Sequence, residues 1–104
     1  MMRKAEVFMH DKYAGVLEEI SPRAAYRFAY DPAYAGPPVS LTAPVRPEPY
    51  VYEAFPPFLE GLLPEGYNLE ALLRARKIDR QDLFSQLLAV GRDMVGAVTV
   101  REAE

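Results

Sequence analysis

The sequence has no cysteine, no tryptophan and a single histidine. Without cysteine there is neither a disulfide framework nor a thiolate metal site, the pattern expected of a cytoplasmic protein. His10 alone cannot make a metal cluster and leaves no imidazole pair for acid–base work, so no metal and no cofactor are expected. No apolar run nears the roughly 18 residues of a membrane-spanning helix, and no signal-peptide pattern opens the chain, so no membrane role is expected. Positive charge is scarce as well. Twelve basic against fifteen acidic residues leave a net charge of −3, which argues against nucleic acid as a direct partner.

What is present is a half-hydrophobic chain of 104 residues. That predicts one domain over residues 1–104, burying roughly 65% of its unfolded surface. Ten prolines are the compositional outlier. They are scattered through loops and form no low-complexity tract.

Residues 3–20 read as a β-hairpin. Ala5, Val7 and Met9 alternate with Lys4, Glu6 and Phe8, a turn is expected at Asp11-Lys12, and Gly15 marks a bulge or close approach. Ser21-Pro22 breaks the return strand. Residues 25–30 alternate cleanly, with Tyr26, Phe28 and Tyr30 on one face. Five prolines between 37 and 49 exclude a long element in residues 33–54. Val39 to Ala43 is expected as a short edge strand, and Tyr50 and Tyr52 as part of an extended loop returning to the core.

The stretch Phe55 to Tyr67 organises the second half of the chain. Phe55, Phe58, Leu59, Leu62 and Leu63 form the apolar stripe of a short buried helix, with Pro56 and Pro57 in its first turn. Pro64 and Gly66 then force a sharp corner, from which Tyr67 emerges. A large aromatic there either folds back over the helix junction or projects as an anchor for a partner. Turn placement favours the second, ring size the first.

Asn68 is the expected N-cap of a second helix with an apolar face of Leu69, Leu72 and Leu73. Arg74, Arg76, Lys77 and Arg80 complement its C-terminal dipole. Asp79 is expected to cap a third helix with Ile78 stapled to Leu83, and Gly91 to end it as a left-handed cap. Ala97 to Arg101 alternates as a last strand. The prediction is an α+β fold: a small, mainly antiparallel β-sheet with about three short helices packed on one side.

No catalytic constellation emerges. Gly61-x-x-x-x-Gly66 lacks the Lys-Ser/Thr and the preceding strand of a phosphate loop. Arg92-Asp93 lacks the His and downstream Asn of a kinase catalytic loop, so Asp93 is expected to bond amides of its own glycine-rich turn. Glu60 and Glu65 have neither a nucleophile nor a histidine to work with.

Leu62-Leu63-Pro64-Glu65-Gly66, together with Gly91-Arg92-Asp93-Met94-Val95-Gly96-Ala97-Val98, resembles the N-terminal subdomain of HipA-type serine/threonine kinase toxins. The likeness extends through Phe28-Ala29-Tyr30 and Val39-Ser40-Leu41 to Val100. Met94-Val95 departs from the Cys-Ala frequent in the family. The chain's length resembles the small stand-alone subunit (HipS-type) of three-component HipBST toxin–antitoxin systems.

That resemblance implies an antitoxin-like protein and not an enzyme, one that binds and neutralises a separately encoded HipA/HipT-type kinase. The other reading it implies is a non-inhibitory subunit completing a split kinase. A HipB-like helix-turn-helix DNA-binding protein is a further implied member of the complex. The kinase-binding residues expected from it are Tyr67, Glu65, Glu60 and Asn68.

Overall fold

A computed structural model describes residues 3–91 and 97–103. Five strands form one antiparallel sheet in the order β4-β3-β2-β1-β5. They are β1 (Arg3–Met9), β2 (Lys12–Ser21), β3 (Ala25–Tyr30), β4 (Tyr50–Tyr52) and β5 (Val98–Glu102). Three helices, α1 (Pro57–Glu60), α2 (Gly66–Arg76) and α3 (Leu83–Val90), pack on one side. The predicted α+β class holds.

The first hairpin closes at His10 and Asp11, one residue before the expected turn. Both have positive φ (50° and 66°), as a two-residue type I′ turn requires. The pairing Val7↔Gly15 followed by Phe8↔Tyr13 confirms an irregularity beside Gly15. A Cβ at Gly15 would collide with the Ala29 carbonyl, so its close approach to β3 is real. β3 is the predicted strand residue for residue, with Tyr26, Phe28 and Tyr30 buried.

The edge strand lies elsewhere than expected. Residues Val39 to Ala43 form only an isolated bridge, Ser40↔Ala43, while Tyr50–Tyr52 pairs with β3. The reason is a side chain that answers the backbone locally. The Tyr30 hydroxyl accepts from the Val39 N–H at 3.0 Å and donates to the Ala43 carbonyl. With those groups satisfied, a ladder is not needed to bury them. The Tyr34 and Tyr50 hydroxyls likewise donate to the Pro37 and Pro44 carbonyls, so three tyrosines pin the proline-rich segment.

The core lies between sheet and helices. Ala5, Val7, Leu17, Phe28 and Val100 from the sheet meet Phe55, Leu59, Leu63, Phe84 and Leu87 from the helical side. Aromatic pairs join the two layers: Tyr26 stands edge-on to Phe55 and stacks with Phe84, and Phe28 meets Phe58 edge-on. One charged group sits on this buried face. Glu19 is 3% exposed and accepts two hydrogen bonds from Arg3, at 2.7 and 2.8 Å. The same guanidinium donates to Asp82 at 2.8 Å and to the Ser85 hydroxyl at 2.7 Å. Arg3 therefore clamps the start of α3 to β1 and β2.

This clamp decides where α3 begins. Asp82, not Asp79, is its N-cap, accepting from the Ser85 N–H at 3.2 Å. Asp79 instead accepts from the Gln81 N–H in the preceding turn, so the expected staple of Ile78 on Leu83 does not apply. Gly91 follows α3 in right-handed geometry (φ −57°) and is no left-handed cap. Its lack of a side chain serves close packing, since a Cβ would strike the Val100 carbonyl of β5. The expected role of Asp93 lies outside the described residues.

Candidate functional site

Phe55, Leu59 and Leu63 are buried, and they anchor α1 firmly under the sheet. The helix is shorter than its stripe: four α-helical residues, followed by the tighter bonds Leu62 N–H to Leu59 O and Leu63 N–H to Glu60 O. Pro57 occupies N1, where a missing N–H costs nothing. The chain then turns at Pro64, and Gly66 takes φ +56° as the sequence implied. Beyond its chain neighbours and the backbone of its own helix, no atom lies within 4 Å of where a Gly66 Cβ would stand, so backbone conformation, not space, selects glycine there.

Tyr67 leaves this corner 94% exposed. It does not fold back over the helix junction. Glu60, Glu65 and Asn68 are exposed as well. Asn68 is not the N-cap. Glu65 occupies that position in extended geometry and makes no side-chain cap bond, while Asn68 lies inside the first turn. Both polar side chains thus remain available to another molecule.

The helix that carries Tyr67 is itself lightly held. No side chain of α2 is fully buried, and Leu69, Leu72 and Leu73 are only half-buried against the domain. Its C-terminus closes properly: Lys77 adopts the left-handed cap (φ 54°), and the Lys77 and Ile78 N–H groups both bond the Leu73 carbonyl. Arg74 and Arg76 sit in the last turn, as expected for the dipole. Arg80 pairs with Glu70 across the following turn.

Hollows of about 310, 320 and 440 Å³ open elsewhere on the surface, and no corner residue lines any of the three. A protruding aromatic ring flanked by two carboxylates and an amide can fill an apolar slot while its neighbours meet cations and backbone groups. Among the described residues no group of His, Asp and Glu is placed to hold a metal ion.

Sequence reasoning missed the Arg3–Glu19–Asp82–Ser85 clamp, which sets the helical layer on the sheet. Burial pushes the Asp82 carboxyl up, but hydrogen bonds from Arg3 and Ser85 outweigh it and hold the group below its ordinary value. The Glu19 carboxyl is also lowered, chiefly by the Arg3 hydrogen bonds. A signal was present: Glu19 shares strand parity with core-facing Leu17, so a charge there required a buried partner.

Comparison with known proteins places this geometry. The sequence profile described as the HipA N-terminal domain matches residues 5–101. A solved structure titled "N-terminal domain of HipA toxin" superposes with a TM-score of 0.75 at 30% identity, covering 98% of this chain and 93% of that one. An uncharacterised protein of Haemophilus influenzae is 32% identical over 102 residues, which take up 98% of this chain and 94% of the relative.

Proposed function

This chain belongs to the HipA N-terminal domain family, and from that membership we propose an antitoxin-like role. It binds a separately encoded HipA-type serine/threonine kinase and neutralises it, performing no catalysis of its own. The observation that carries the reading is Tyr67, a ring 94% exposed on a corner whose base is buried. Exposing a large aromatic on a turn costs solvation that a purely structural residue has no reason to bear, and such rings anchor interfaces.

The Haemophilus relative supports a stand-alone partner, because the match takes up 94% of that protein and leaves little room for a kinase body. Tyr67 enters a groove of the kinase, with Glu65, Glu60 and Asn68 contacting its margin. Restraint then comes from blocked substrate access or from holding the kinase lobe in an unproductive position. A HipB-like DNA-binding protein in the same complex is compatible with this arrangement, which leaves most of the surface free.

The test is co-expression with a HipA-type kinase from the same source. Tyr67→Ala is expected to weaken the complex by at least about thirtyfold, a loss of ~2 kcal/mol, and to abolish growth rescue. Unchanged rescue with unchanged affinity contradicts the proposal.

A further inference from the structure

We propose that the turn at Leu41 is a second, apolar contact with the kinase; it rests on the kinase-binding role proposed above and adds to it a surface that supplies affinity. Leu41 is 95% exposed. It stands second in a four-residue turn, Ser40 to Ala43, closed by a hydrogen bond from the Ala43 N–H to the Ser40 carbonyl at 3.0 Å. Turn chemistry does not call for leucine there. Proline or a polar residue would serve that position without exposing apolar surface.

The turn is fixed from both sides. Within it, the Thr42 N–H donates to the Ser40 hydroxyl at 3.2 Å, and the Ser40 and Thr42 hydroxyls bond each other at 3.0 Å. Its flanks, Val39 and Ala43, are buried in the core and tied to the Tyr30 hydroxyl. Leu41 is thus presented outward by a turn whose base is anchored, so a partner that takes up the side chain does not have to order the loop first.

Charge and position select the occupant. Residues 32–45 contain no Asp, Glu, Lys or Arg, in a chain that is 26% charged. Yet much of this run lies on the surface, where Pro37, Thr42, Pro44 and Val45 are exposed together with Leu41. Solvation gives a surface loop no reason to shed its charge, whereas the centre of a protein–protein contact is depleted of it.

The turn also lies where a partner seated on the Tyr67 corner can reach it. Tyr30 shares the core-facing parity of Tyr26 and Phe28, so its hydroxyl holds the turn on the helical side of the sheet. Phe28 meets the Tyr30 ring edge-on at 4.9 Å and the Phe58 ring of α1 at 5.6 Å. α1 is the helix that runs into the corner. The kinase surface opposite Leu41 is accordingly an apolar, uncharged pocket.

The test measures the affinity of the purified whole chain for a HipA-type kinase from the same source by titration calorimetry. Leu41→Ala is expected to weaken the complex about tenfold and Leu41→Asp at least about a hundredfold, while Leu41→Met stays within about threefold of the unsubstituted chain. The factor lost by Leu41→Ala is the same at ~0.1 M and ~0.5 M salt, because neither side of the contact is charged. Leu41 is solvent-facing, so an unchanged melting temperature checks folding. Full affinity in Leu41→Asp, with Tyr67→Ala still weakening the complex, overturns the Leu41 contact alone. No binding by the unsubstituted chain overturns the kinase-binding role and this contact with it. A loss that vanishes at high salt, or a dimer of the free chain that Leu41→Asp dissolves, also overturns the contact.

Discussion

Tyr67 is exposed because Gly66 makes it so. At φ +56° an L-residue meets its own carbonyl, and nothing else in the neighbourhood compensates. Gly66→Ala is expected to cost roughly 1–2 kcal/mol in urea denaturation and to swing the aromatic away from its present direction. On the proposed role, affinity for the kinase should therefore fall although no side chain of the proposed contact has changed. Arg3 governs a different economy. Replacing it with Met leaves Glu19, 3% exposed, without its partner. Because Arg3 itself is a third exposed, water offsets part of the loss, and a destabilisation of about 2 kcal/mol is expected by the same measurement. Adding Glu19→Gln should recover part of it, since the uncompensated charge is then gone.

Among the elements, α2 and α3 differ in how they are held, and that difference is measurable. α3 buries Phe84, Gln86 and Leu87 and is clamped at its start by Arg3, whereas α2 buries no side chain fully. Native-state hydrogen exchange should find the inner amides of α2 opening at least about tenfold more often than those of α3. The clamp also makes stability depend on pH. The Glu19 and Asp82 carboxyls titrate lower in the folded chain than in the unfolded one. Their contribution is thus complete above the ordinary carboxylate range near pH 4 and is lost as pH falls through their folded values. A melting temperature that does not drop between about pH 5 and pH 2 would contradict this.

The elements also show what a sequence can and cannot disclose. β3 and the proline-led helix were legible because the information is local: strict alternation in one, an i, i+3, i+4 stripe behind two prolines in the other. The Gly66 corner was legible for the same reason. What failed depended on distant partners. Asp79 and Asp82 are equivalent caps by local rules, and Arg3, far away in sequence, decides between them. Gly91 looked like a left-handed cap, but its function is to let β5 approach. The Val39–Ala43 segment had strand-like residues, yet the Tyr30 hydroxyl took its backbone groups out of any ladder. At the corner, the turn at Gly66 was readable, whereas turn placement and ring size pulled opposite ways on whether Tyr67 projects, and the N-cap position expected of Asn68 is occupied by Glu65 without a side-chain cap bond.

At the scale of the whole molecule, the sheet separates two surfaces of different character. One side carries three helices and ends in an acidic, aromatic corner. The other bears Lys4, Glu18 and Arg27 side by side, with Glu6 and Arg101 in the next row. The domain measures 38 × 28 × 26 Å. The central proposal is that the corner restrains a HipA-type kinase, and autophosphorylation of a purified HipA-type kinase from the same source tests it most directly. The predicted result is that the chain suppresses the reaction at equimolar concentration and that Tyr67→Ala relieves the suppression. Stimulation by the chain, which is the outcome for a subunit completing a split enzyme, or equal suppression by Tyr67→Ala, would contradict it.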